Sequence, residues 1–110
     1  MVLHRLVELA LAKENLDDRS DSGKNIASIL VAAAYEDLLR RMGRDFAGVS
    51  DRPKLTSVVK VLKDAGVLQG GSIATAQGYL KFRNDALHAD WDKIDRPLIQ
   101  SVIGFTEACG

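Results

Sequence analysis

The run Ile26-Ala27-Ser28-Ile29-Leu30-Val31-Ala32-Ala33-Ala34-Tyr35 is apolar nearly all round when wound as a helix, and only Ser28 breaks it. A helix apolar on every side has to be covered on several faces, by neighbouring helices or by a second subunit. This segment is therefore central to whatever the chain becomes. The spacing predicts a helix over 23–42. Past Tyr35 the apolar pattern narrows to Leu38, Leu39 and Met42, while Glu36, Asp37, Arg40 and Arg41 turn outward. Gly43 stands where a C-cap glycine belongs, after two arginines that suit the negative end of the helix dipole.

The other segments supply the cover. Residues 2–14 place Leu3, Leu6, Val7, Ala10 and Leu11 at helical spacing, with His4, Arg5 and Glu8 mostly opposite. A polar connection over 15–23 offers Ser20, Asp21 or Ser22 as an N-cap for the central helix. Arg44 to Arg52 reads as a loop, with Ser50 or Asp51 as the next cap and Pro53 in the first turn. Leu55, Val58, Val59 and Leu62 then form a clean stripe, with Lys54, Lys60, Lys63 and Asp64 on the solvent side. Gly66 ends that helix, Val67 and Leu68 tuck under, and Gln69-Gly70-Gly71 is a turn. Ser72 opens a fourth helix whose stripe is Ile73, Ala76, Leu80 and Leu87. After a loop from His88 to Asp95, Asp95 caps a fifth helix with Pro97 in its first turn and Leu98, Ile99, Val102 and Phe105 inward. No segment alternates as a strand does. The expectation is a single all-α domain over 1–110, a bundle of four to five helices.

Several function classes are excluded at this level. Fifteen basic residues balance fifteen acidic ones, so any nucleic acid has to be met by a local patch, not by net charge. Two histidines far apart and one cysteine, Cys109, give no metal-ligand spacing and no internal disulfide, so neither a metal nor another cofactor is expected. Gly70-Gly71 has no strand before it and no Lys-Ser/Thr pair after it, so it is not a phosphate loop. No apolar run is long enough to span a membrane. Residues Met1 to Leu11 carry charge throughout, unlike a signal peptide. With the lone cysteine, this points to a reducing, cytoplasmic setting.

The stretch Lys81-Phe82-Arg83-Asn84-Asp85-Ala86-Leu87-His88-Ala89-Asp90-Trp91 departs from ordinary amphipathic pattern. With Leu80 at zero on the helical wheel, Arg83 falls about 60° to one side and Asn84 about 40° to the other, so both border the apolar stripe. Asp85 points away. Arg83 and His88 lie about 140° apart on an unbroken helix. They converge only if the helix ends near His88 or a second copy supplies one of them. A purely structural account is available: Arg83 pairs with Asp37, Glu36 or Asp90, Asn84 bonds a loop carbonyl, and His88 caps a helix C-terminus. Trp91, the sole tryptophan, reads as core or interface packing.

Arg83-Asn84-Asp85-Ala86-Leu87-His88 resembles the signature of the HEPN superfamily, an Arg, a polar residue, and a His after a short interval. The context is similar too: a late position in a bundle of about five helices, a preceding long helix carrying Tyr35-Glu36-Asp37-Leu38-Leu39, and Ala89-Asp90-Trp91-Asp92 following, as in small bacterial members. The resemblance covers roughly residues 20–108. It implies a metal-independent endoribonuclease that works as a homodimer, with the motifs of two copies facing one cleft. His88 would be the acid or base at the ribose 2′-OH or the leaving oxygen. Arg83 would hold the scissile phosphate, and Asn84 would orient the pair. Some members are toxins paired with a nucleotidyltransferase-like antitoxin. Others are non-catalytic modules that dimerise or bind a protein, nucleotide or RNA partner, and this is the alternative for the present chain. The residues add one constraint. Asp85, Asp90, Asp92 and Asp95 crowd the motif, so an RNA backbone would need a basic track from elsewhere, with Arg40, Arg41 and Arg44 as candidates.

Overall fold

Ser20 starts the central helix: its Oγ accepts from the Gly23 N–H at 3.1 Å. In the computed structural model, which describes residues 2–49 and 53–109, five helices follow one another with no strand among the described residues. They are α1 (Val2–Asp17), α2 (Asp21–Ala47), α3 (Leu55–Asp64), α4 (Gly71–Leu87) and α5 (Arg96–Cys109), with a short 3₁₀ turn at Trp91–Lys93 before α5. The chain is an all-α five-helix bundle. Helix α2 packs against each of α1, α3, α4 and α5. Its residues Ala27, Val31, Ala32, Ala34, Tyr35, Leu38 and Leu39 are buried, as a helix apolar on most sides requires. Among the described residues, no helix is long and apolar enough to cross a membrane.

Tyr35 ties the core together. Its ring meets Tyr79 and Phe105 edge-on, with centroids 5.9 and 6.1 Å away, joining α2 to α4 and α5. Its hydroxyl donates to the Ala76 carbonyl at 2.7 Å, which satisfies a buried polar group. Leu55, Val58, Val59 and Leu62 are all buried, as the α3 stripe predicts. Asp95 accepts from the Leu98 N–H at 2.8 Å and caps α5. Arg96 donates to the carbonyls of Leu16, Asp18 and Ser20, closing the end of α1 and the turn after it.

Five expectations are corrected. Leu87, expected on the buried stripe of α4, is exposed, because it is the last residue of the helix. Helix α2 does not stop at Gly43 but runs to Ala47, and Gly48 (φ 68°) is its C-cap. Gly43 is instead a contact glycine, where an added Cβ would press on Val58 at 3.1 Å. Pro53 precedes α3 and is not in its first turn. The N-cap position is Lys54, and the expected caps Ser50 and Asp51 lie outside the described residues. Asp85 does not point away. It is buried at 8% exposure and accepts from Lys81 Nζ at 2.8 Å, because α4 is covered on two sides and Phe82 and Ala86 face inward beside it. Finally, α1 buries the other face: Arg5, Leu9, Ala12 and Leu16 are inside, while Leu3, Leu6, Val7 and Leu11 are exposed. The row Leu9, Ala12, Leu16 runs the length of the packed helix, and Arg5 reaches Asp37 at 3.3 Å; the rival stripe ends after two turns.

The α1–α2 turn depends on Gly23. A methyl group there would collide with the carbonyl oxygens of Asn15 and Asp18, both backbone atoms that cannot swing aside. Gly23→Ala is expected to destabilise the fold by about 1–3 kcal/mol, read as a lower midpoint in urea unfolding.

Candidate functional site

Helix α4 carries the three motif residues and places them unequally. Arg83 faces α2, where Nε and Nη2 donate to Glu36 Oε1 at 3.1 and 2.7 Å. Of the three carboxylates that the sequence offers, Glu36 is the one bonded. Its other oxygen accepts from Arg40 Nε at 3.0 Å, so one carboxylate is shared by two guanidiniums. Arg83 Nη1 donates to Asn84 Oδ1 at 3.0 Å. Asn84 thus steadies the arginine and, among the described residues, bonds no loop carbonyl.

Arg83 and Asn84 line an open cavity of about 400 Å³ between α2, α3 and α4, together with Arg40, Lys54, Thr56 and the apolar Leu55 and Leu80. His88 is not part of it. Helix α4 ends at Leu87, and His88 is the exposed C-cap residue, its N–H bonded to the Asn84 carbonyl at 3.0 Å. The chain leaves the helix through Ala89 at φ 57°, a left-handed conformation that disfavours a side chain. Lys24 on α2 then receives the chain: its Nζ donates to the Trp91 and Ile94 carbonyls at 2.8 Å each. The structure therefore brings Arg83 and Asn84 together and leaves His88 one turn further along, free to face outward.

These anchors run α4 antiparallel to α2, from the Glu36–Arg83 pair to the Lys24 clamp. One turn past Arg83, Leu87 (58% exposed) and His88 stand level with the outward residues Ile29 and Ala33 of α2. Leu87, the residue before the histidine, is an exposed apolar side chain. Of the proposed basic track, Arg40 lines this cavity and a neighbouring one shared with Glu36, Asp37 and Arg44, whereas Arg41 turns to the opposite side toward Asp45. Lys54 and Thr56 were missed by the sequence reading. A lysine and a threonine on a solvated helix start carry no signal until the fold sets them opposite Arg83. Among the described residues, no cluster of His, Cys, Asp and Glu is arranged to hold a metal ion.

Comparison with models of known protein families, with curated protein sequences and with solved structures finds no match.

Glu36 gives the site a pH dependence. Burial raises its pKa, but the hydrogen bonds from Arg83 and Arg40 outweigh that, and the net shift is downward from the ordinary value of 4.5. A depressed folded pKa adds stability that is fully present above the unfolded value and is lost as pH falls through the folded one. Wild-type stability is therefore expected to drop on acidification below about pH 4.5, and Glu36→Gln should show a shallower drop in that window. Denaturant titrations at pH 6 and pH 3 on both proteins measure the difference.

Proposed function

We propose that this chain is a metal-independent endoribonuclease of the HEPN type, acting as a two-fold homodimer. The observation that carries the reading is the split along α4: an exposed His88 at the free end of the helix, one turn from Arg83 and Asn84 in an open, cation-lined cavity. In the reaction the ribose 2′-oxygen attacks the adjacent phosphorus, its proton passes to a base, and the 5′-oxygen leaves with a proton from an acid. The product ends are a 2′,3′-cyclic phosphate and a 5′-hydroxyl. His88 serves one of the proton transfers, Arg83 stabilises the charge on the phosphoryl oxygens, and Asn84 holds Arg83 in place.

Because His88 lies outside the cavity that holds Arg83, a second copy completes the cleft. The exposed Ile26, Ile29 and Leu87 beside it, and Leu3, Leu6, Val7 and Leu11 on α1, supply apolar surface for such a partner. A dimer burying at least about 1,200 Å² in total is expected. Light scattering showing a monomer at micromolar concentration would count against it. The test of activity is incubation of the purified chain with single-stranded RNA in EDTA: cleavage supports the reading, and inertness toward a broad RNA panel sinks it.

One observation favours a second reading, a non-catalytic binding module of the same fold. Glu36 already occupies the guanidinium that a scissile phosphate would need. In that reading Arg83 is a structural tie between α2 and α4, and the partner is a protein, a nucleotide or RNA. In either reading the resemblance supplies a further partner class, a nucleotidyltransferase-like antitoxin.

A further inference from the structure

We propose that the side of this cavity formed by Arg40, Lys54 and Thr56 is a second phosphate subsite, which holds the backbone of a bound RNA strand next to the scissile phosphate at Arg83 and is kept in check by Glu36. This rests on the ribonuclease reading for its ligand and extends the site to residues outside the motif. Donor-bearing residues of three helices line the same space: Arg40 from α2, Arg83 and Asn84 from α4, and Lys54 and Thr56 from the start of α3. A guanidinium has five N–H donors. Among the described residues, Arg83 uses three of its donors in hydrogen bonds and Arg40 two. Both retain donors for a ligand. Lys54 is exposed, with no carboxylate against it among the described residues, and as N-cap it makes no side-chain cap bond. The Ser57 and Val58 N–H groups already donate to the Lys54 carbonyl at 2.9 and 3.2 Å, so what the start of α3 adds to the cationic wall is the Lys54 ammonium. No carboxylate is among the described lining residues. Convergent guanidinium, ammonium, hydroxyl and amide donors fit a tetrahedral phosphate oxygen set, and arginine matches it with paired donors.

The subsite also answers the acidic rim. Asp90, Asp92 and Asp95 follow His88, so a strand reaching the histidine is repelled on that side. The cavity lies one turn back along α4 and shares Arg40 with a neighbouring cavity lined by Glu36, Asp37 and Arg44. Glu36 holds Arg83 and Arg40 from the neighbouring cavity, and an arriving phosphate competes with it for both guanidiniums.

The test is binding of a fluorescent single-stranded RNA oligonucleotide by anisotropy in EDTA, on His88→Ala protein so that the strand stays intact. Adding Lys54→Ala should weaken binding about fivefold and lower the salt slope by about 0.7, the share of one phosphate contact to a single strand. Lys54→Glu should weaken it further, and Glu36→Gln should tighten it several-fold. Lys54 is exposed and makes no tertiary bond among the described residues, so the Lys54 variants fold as the parent does. Unchanged affinity and salt slope in both Lys54 variants overturns the proposal. So does a 5′-nucleoside monophosphate binding more tightly than the strand in a Lys54-dependent way, which would make this a free-nucleotide pocket. An acidic peptide competing as well as RNA would likewise overturn it in favour of a protein partner. The two readings fail separately. Wild-type protein that cleaves nothing but binds RNA through Lys54 keeps the subsite and removes the nuclease. Cleavage with normal KM in Lys54→Glu keeps the nuclease and removes the subsite.

Discussion

Arg83→Ala is expected to lose about 10²–10³-fold in RNA cleavage rate, the usual worth of one donor to a developing oxyanion. The same variant is expected to lose only about 1–2 kcal/mol of stability, less than the 3–5 kcal/mol typical when one partner of a fully buried pair is removed. Two facts limit the structural cost. The pair is about a quarter exposed on each side, so water screens it. Glu36 also keeps Arg40 at 3.0 Å, so removal of Arg83 leaves no carboxylate stranded. Steady-state cleavage and urea unfolding on one preparation separate the effects. A large stability loss in a protein whose wild type cleaves no RNA would identify Arg83 as a tie between helices.

His88→Ala is expected to cost about 10²-fold or more in cleavage rate, the range for a positioned acid or base. Its stability should stay within about 0.5 kcal/mol of wild type, because the side chain is exposed at the end of α4 and only its backbone N–H is bonded into the helix. His88→Gln, which keeps hydrogen-bonding capacity without titrating, should rescue little. The pair of variants is diagnostic together: the ribonuclease reading expects the Arg83 variant to lose activity and some stability, and the His88 variant activity alone. If His88→Ala cleaves as fast as wild type, the histidine has no part in the chemistry.

The helices were legible because each buried face repeats at helical spacing over two turns or more. The run from Ile26 to Tyr35 announced a central helix, and Leu55, Val58, Val59 and Leu62 one buried face. Caps were legible where a side chain does the capping, as at Ser20 and Asp95. They were not where the glycine chosen had a packing role, as at Gly43, since spacing cannot tell close approach from helix termination. On α1, two apolar rows coexist, and a wheel alone does not say which one a neighbour takes; the Arg5–Asp37 contact across 32 residues decides it.

The site was legible in part. The wheel placed Arg83 and Asn84 at the edge of the apolar stripe and Arg83 about 140° from His88; in the fold Arg83 and Asn84 line one cavity and His88 does not. It misplaced Asp85, because α4 is covered on two sides and a single stripe misjudges such a helix. Lys54 and Thr56 come from a segment almost thirty residues before Arg83 and meet it only through the packing of α3 on α2 and α4. No local pattern carries that.

In the proposed reaction this chain cuts RNA using the strand's own 2′-hydroxyl. This is tested most directly by end-group analysis of wild-type products formed in EDTA. The expected products carry a 2′,3′-cyclic phosphate on one fragment and a 5′-hydroxyl on the other, with no cutting where a 2′-deoxynucleotide replaces the attacking ribose. Fragments carrying a 5′-phosphate, or cleavage that continues at the deoxy position, would contradict it.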